Sequence, residues 1–468
     1  MRLIRSIPLH GEGSEQRVIT DMNNPERYND ILTQAYQWLR RNIVRILTSS
    51  FLFVLAILIM PIVGGVIMQD KSALDDQDLA WQDLSIPDED NAFFLGDSLR
   101  AVAYEPTEPT QSITHTIEGN APWDARFVRS ITEKNKETCA IMHEASTKKY
   151  FQDPAFATAH APAINEKGEV EIVWRKAARV CALRAIELAK QGDRTRGVAL
   201  ALDIVETGEH IVRAQGTTGN YLLGASVQLF GLSALRTIGM STPLSRQEVR
   251  AVTHELSQVG TTTARVIQAL KSEYLSQKLA VHEIEAGNRD KLDIVQLSDY
   301  KVFAILPYYF QPNRTLEEIA SVYRKVIHES SVSCVLYEPY VHRRNLELPS
   351  AIEAFMTRNV VGKLVAEYVM VPSTQLIERR CADQVNIELT KLVLALSSYR
   401  AHYGVYPDSL KRLIPEYLEQ MPADPFSGEE FRYSKKRGAI ASIGVKSERD
   451  ENGVFLHNAK GFEFELKK

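Results

Sequence analysis

The sequence predicts a mainly α fold in three parts. These are a single N-terminal transmembrane helix, an extracytoplasmic helical-hairpin domain, and a small C-terminal α+β module of one long helix plus a short antiparallel sheet. Three observations carry this. Residues 46–68, ILTSSFLFVLAILIMPIVGGVIM, contain no charge. From about Val170, apolar residues recur every three or four positions and glycines interrupt the pattern. In the last forty or so residues the period changes to two, as in strands.

Residues 1–45 read as a cytoplasmic tail. Gly11, Gly13 and the Asn23-Asn24-Pro25 turn break its first half, and residues 28–45 suit a helix leading into the span. The 46–68 run is long enough for a bilayer core, which takes about 20 helical residues. Arg40, Arg41 and Arg45 precede it, and Asp70, Asp75, Asp76 and Asp78 follow. Basic residues stay on the cytoplasmic side, so the expected location is the inner membrane, crossed once, with residues 69–468 outside. A buried core helix is usually shorter and carries a polar stripe. A cleaved leader starts earlier, has a shorter apolar run and ends in a small-residue site.

Residues 69–169 read as an acidic stalk with irregular and helical parts. Pro87-Asp88-Glu89-Asp90-Asn91 suits a helix start, since acids favour the positive helix end. It lacks the order of a calcium loop. Residues 170–380 read as a helical domain. Trp174, Ala178, Cys181, Ala185 and Leu188 share one face. After Gly192-Asp193 a second helix over 195–212 turns Val198, Ala201, Leu202 and Val205 inward. A third, over 221–238, offers Leu222, Ala225, Leu229 and Leu232. Helix, tight turn, helix is an αα-hairpin. Ser245 and Glu248 form a capping box. A helix over 262–286 follows, and Thr315 is expected to cap another that runs to about Glu329.

Length and composition bound the function. The 468 residues allow two or three domains. A net charge of -4 gives no field for nucleic acid. Cys139, Cys181, Cys334 and Cys381 are too far apart for a C-x-x-C metal or redox site, and disulfides and buried thiols both remain open.

Residues 384–468 form the last module. Val385, Leu389, Leu392, Leu396, Tyr399 and Tyr403 step by four and three, and Tyr399, Tyr403 and Tyr406 sit at core spacing. Gly404 ends the helix. Strand signals fall at 431–433, 440–443, 454–456 and 462–466. The string Leu396-x-x-Tyr399-Arg400-x-His402-x-Gly404-x-Tyr406-Pro407, then Leu410, Leu413, Pro415, Tyr417, Leu418, Pro422, Asp424-Pro425 and Phe431-x-Tyr433, is similar to the globular part of type II secretion major pseudopilins. That resemblance implies a helix-and-sheet fold and a calcium ion in the loop between the last strands. Here the loop offers Glu448, Asp450, Glu451 and Asn452, hard oxygen ligands partly offset by Lys446 and Arg449. A solvated hairpin loop is the alternative. No Gly-Phe-x-x-x-Glu processing site precedes the span, so N-terminal assembly into a pilus is not expected. The exterior as a whole resembles an uncharacterised single-pass bacterial membrane protein family. Residues 87–93, the Gly192-Asp193 hairpin, residues 311–316 and Asn359-x-x-Gly362 carry that likeness.

No reaction is marked. The pairs His143-Glu144, His254-Glu255, His282-Glu283 and His328-Glu329 lack the second histidine of a zinc protease helix. Gly362-Lys363-Leu364 lacks the rest of a phosphate loop. No nucleophile elbow or dinucleotide fingerprint occurs. His342-Arg343-Arg344 and Arg379-Arg380 read as solvated faces. The expected role is a non-catalytic scaffold or partner-binding protein of the cell envelope, in contact with the lipid bilayer. An accessory component of a secretion or pilus-like system is the alternative, and an envelope hydrolase without a sequence signature is a weaker one.

Overall fold

A computed structural model describes residues 25–67, 69–81, 84–104, 106, 110–154, 168–260, 263–294, 297–336, 349–369, 373–444, 446–449, 455–457 and 463–466. The chain divides into two compact units.

The first unit holds α1 (Pro25–Ile67) and Ile305–Tyr309. The helix expected over 28–45 and the apolar run join into one 43-residue rod, ~65 Å long at 1.5 Å per residue. The large apolar side chains described on it are exposed. Phe51 is 66% exposed, Leu52 62%, Phe53 67% and Val54 51%. Four consecutive positions, 100° apart, look out on every side of the helix, so residues 51–54 set no face aside for packing.

The second unit is mainly helical. Its N-terminal part holds α2 (Leu95–Val102), α3 (Thr110–Ile117), α4 (Ala125–Thr132) and α5 (Lys136–Thr147). These pack on a central trio, α6 (Gly168–Lys190), α7 (Arg194–Arg213) and α8 (Thr218–Ser241). Trp174, Ala178, Cys181, Ala185 and Leu188 are all buried, as their spacing predicts. Gly192 (φ +97°) makes the left-handed turn between α6 and α7, and the Asp193 carboxylate accepts from the Arg196 N–H. The third helix is out of phase with its predicted stripe at one point: Leu222 is 46% exposed, while Tyr221 and Leu223 are buried. α8 is apolar and long enough to cross a membrane, but 72% of its apolar window is buried inside the protein. It is a core helix.

α7 and α8 meet closely because glycines face each other. A Cβ on Gly224 would lie 2.7 Å from the Gly208 carbonyl oxygen and 2.7 Å from the Val212 nitrogen. Both are backbone atoms and cannot yield. Gly224→Val is therefore expected to destabilise the protein by about 3 kcal/mol, at the upper end of overpacking costs. A thermal melt within error of the parent would refute this contact.

α9 (Arg246–Gln258) carries the predicted capping box, with Ser245 and Glu248 bonded reciprocally. α10 (Thr263–Glu285), the short α11 (Lys291–Ile294), α12 (Pro312–Ser330), α13 (Ala351–Met356) and α14 (Val360–Val369) follow. α10, α12 and α14 build a second layer. Thr315 is not the cap expected of it. α12 begins at Pro312, and buried Thr315 bonds the Gln311 carbonyl from within the first turn. Proline at the first position explains the earlier start, because its missing N–H is not needed there.

α15 (Ser373–Tyr403) runs 31 residues, begins before the predicted module and ends at Gly404 (φ +76°). It lies along α8, and the Ser397 hydroxyl donates to the Gly239 carbonyl at 2.6 Å. Strands β1 (Arg432–Ser434), β2 (Ala439–Ala441) and β5 (Glu463–Glu465) form an antiparallel sheet in the order β1-β2-β5, with Ile440 opposite Tyr433 and Phe464. β3 (Lys446–Arg449) and β4 (Phe455–His457) pair separately. Tyr399 and Tyr406 are partly or well buried, but Tyr403 is 46% exposed and not core. It lies at the last helical turn, where its hydroxyl reaches Arg246 and Glu416.

Candidate functional site

The second unit concentrates buried charge where α8 meets α7, α10 and α15. On α7, Glu209 is fully buried. It accepts from Arg213 at 2.7 Å and from Gln228 at 2.9 Å, and it pairs with Arg265 of α10. Burial raises its carboxyl above the usual range, and the two arginines oppose that. On α15, Asp383 is 5% exposed. Its partners are Arg379 at 2.9 Å and the Tyr221 hydroxyl at 3.4 Å. Burial pushes its carboxyl up to about 7 despite Arg379.

Arg380 corrects the expectation of a solvated Arg379-Arg380 face. It is 5% exposed and donates to the Thr263 hydroxyl at 2.7 Å and to the Val332 carbonyl at 2.9 Å. Its guanidinium also touches the sulfurs of a disulfide, Cys334–Cys381. Cys139–Cys181 forms a second disulfide. The respective Cα–Cα distances, 5.8 and 5.4 Å, suit bridges. The sequence left this pairing open. His342-Arg343-Arg344 lies outside the described residues.

Arg236 of α8 is also buried, and burial alone pulls its guanidinium down to about 10. It donates to the hydroxyls of Thr390 (2.8 Å) and Ser233 (2.9 Å) and sits over the Phe464 ring. Beside it opens a cleft of about 330 Å³, lined among others by Trp123, Lys190, Glu118 and Phe464. Its volume falls in the small-ligand range.

Three aspartates at the start of the acidic stalk are engaged. The Asp70 carboxylate accepts from the Asn313 and Arg314 N–H groups at 2.8 and 3.1 Å, capping α12 from a distance. Asp76 bonds Lys278 at 2.7 Å. Although burial works against it, Lys278 and Tyr274 hold its carboxyl below the usual range. Arg324 takes both oxygens of Asp78. Next to this clamp the two segments 311–316 and 359–362 come together. Asn359 is buried at φ +55°, and its Oδ1 accepts from the Gln311 N–H at 2.8 Å and the Thr315 hydroxyl at 3.2 Å. A Cβ on Gly362 would overlap the Thr315 hydroxyl. Both segments are parts of one joint.

In the tail, the Asp424-Pro425 turn is locked. Buried Asp424 accepts from the Ser442 hydroxyl (2.8 Å), the Ile443 N–H (2.8 Å) and the Phe426 N–H (3.0 Å). Asp424→Ala leaves those buried donors unpaired, a loss of about 3 kcal/mol. Hydrogen exchange at the Ile443 amide should rise with it, and unchanged protection there counts against the lock.

Ser146, His143 and Asp203 come together without forming a hydrolytic triad. Ser146 and His143 both contact Asp203, at 2.9 Å each. In a hydrolytic triad the histidine stands between serine and acid. Here the acid stands between them, and the His143 side chain is 67% exposed. Of the predicted calcium ligands, Glu448 lies in β3 opposite Leu456, while Asp450, Glu451 and Asn452 lie outside the described residues. Among the described residues no group of three or more His, Cys, Asp or Glu stands ready for a metal.

No family model, no curated protein and no solved structure matches the chain.

Proposed function

We propose that the protein is a membrane-anchored extracytoplasmic scaffold of the cell envelope that binds partners and catalyses nothing. The observation that carries this is the bare apolar surface of α1, exposed at residues 51–54 in succession with Arg40, Arg41 and Arg45 before it. In water such a rod is unfavourable at ~25 cal/mol per Å², and in lipid it is at home. The two disulfides support the outside location of the second unit, since an oxidising compartment keeps them. The helical layers supply broad surface on which partners could dock.

A second reading, accessory to a secretion or pilus-like system, is favoured by the tail. The Asp424 lock and the β1-β2-β5 sheet accompany a long helix ending at Gly404, the combination the pseudopilin resemblance implies. The test is a phosphatase or fluorescent-protein fusion after residue 100. Phosphatase activity with a dark fluorescent protein is expected, and the reverse overturns the topology. Cross-linking of the full chain in cells separates the two readings. Secretion subunits among the cross-linked partners select the second, and their absence with other envelope proteins present selects the first.

A further inference from the structure

We infer that Cys334–Cys381 is a redox-responsive site: a disulfide that a dithiol reductant opens, tuned by the Arg380 charge held against it. The site lies wholly in the second unit. Cys381 is on α15, and Cys334 stands in the turn that follows the end of α12 at Ser330. The bridge therefore ties the second layer to α15. Val335, next to Cys334, lies against Gly428, so the same turn also rests on the tail.

Arg380 is a buried cation short of a counter-charge. The carboxylate nearest in sequence, Asp383, pairs with Arg379 instead. The groups to which Arg380 donates, the Thr263 hydroxyl and the Val332 carbonyl, are neutral. The Tyr221 hydroxyl is kept protonated by its own burial. The Arg380 Nε has no hydrogen-bond partner among the described residues. An uncompensated charge in a protein interior is strongly unfavourable. Its Nη2 stands 3.5 Å from the Cys334 sulfur and 3.8 Å from the Cys381 sulfur. A closed disulfide has no charge with which to answer it, and a thiolate has. Arg380 thus favours the reduced state over the oxidised one, which raises the reduction potential of this bridge. At the other bridge Arg184, one turn on from Cys181, bonds Glu187 at 2.7 Å.

Cys334 is 6% exposed and Cys381 not at all, so Cys334 is the sulfur that a reductant meets. One thiol of the dithiol loses its proton and attacks the Cys334 sulfur. The S–S bond breaks, and Cys381 leaves as a thiolate beside Arg380. The second thiol loses its proton and displaces Cys334, which takes a proton from water. Two electrons have passed to the protein, the reductant departs as a disulfide, and one proton is released.

The test equilibrates the full chain in detergent with mixtures of reduced and oxidised dithiothreitol. Acid quenching, alkylation and peptide mass spectrometry then read each bridge separately. Cys334–Cys381 should be half open at a reduced-to-oxidised ratio at least tenfold below that for Cys139–Cys181, about 30 mV for a two-electron couple. Arg380→Met should raise the ratio for Cys334–Cys381 at least tenfold and leave Cys139–Cys181 unmoved, while Arg380→Lys, which keeps the charge, stays near the parent. An unmoved ratio in Arg380→Met, or Arg380→Lys matching Arg380→Met, overturns the role of the charge. Should Arg380→Met fail to fold, the parent decides: both bridges opening together, or Cys139–Cys181 opening first, overturns the site.

Discussion

Arg265→Leu is expected to cost about 3–5 kcal/mol of stability at pH 7, the price of leaving a buried charge uncompensated. Glu209 has no exposed side-chain surface, and Arg265, itself only 13% exposed, is its inner partner. Arg213 remains at 2.7 Å but is half in water, with 48% of its side chain exposed. It cannot replace what Arg265 supplies. Glu209 already sits above the usual carboxylate range through burial, and losing Arg265 lifts it further. The folded variant then holds a proton that the unfolded chain has released, so its stability falls as pH rises above about 4. Two measurements check this. Denaturant melts of the variant should recover part of the loss at pH 5. The double variant Glu209→Gln with Arg265→Leu should lose less than Arg265→Leu alone. If the double variant loses the sum of the two singles, the residues act independently and the pairing is wrong.

How far the sequence carried depended on what kind of signal each part gives. Periodicity is local, so the buried face of α6 and the short strands were readable from Trp174, Ala178, Cys181 and Phe464 alone. Caps are local too, and the Ser245–Glu248 box was found where its spacing puts it. Contacts between distant segments leave no such trace. Asp70 reaching Asn313, Asp78 reaching Arg324 and Asn359 reaching Gln311 are decided by packing, so the clamp that the start of the acidic stalk makes could not be read from its charges. The short helices α3, α4 and α5 were hidden for a similar reason. At eight to twelve residues they depend on tertiary contacts more than on propensity. The adjacent arginines Arg379 and Arg380 mislead because a sequence shows charge and not the carboxylate, hydroxyl and carbonyl that await it.

Asp383→Asn is expected to make the protein more stable above pH 7 and to flatten its pH dependence. An unfolded aspartate titrates near 3.8, and burial pushes Asp383 up to about 7 in the fold. Between those values the folded chain keeps a proton that the unfolded chain has lost, so stability drops as pH rises through the window. Three pH units at about 1.4 kcal/mol each set an upper bound of ~4 kcal/mol on the total. The groups that face Asp383 are Arg379 at 2.9 Å, the Tyr221 hydroxyl at 3.4 Å and, through Tyr221, Arg380. Arg379 and the Tyr221 hydroxyl favour the ionised form, yet a third of the Arg379 side chain is exposed and water weakens its hold. Asparagine keeps the shape and one acceptor for Tyr221 while removing the ionisation. Melts of the full chain in detergent at pH 5, 7 and 8.5 should show the two proteins diverging as pH rises, with the variant ahead at 8.5. Parallel curves across that range would mean that Asp383 is ionised throughout and that Arg379, not burial, governs it.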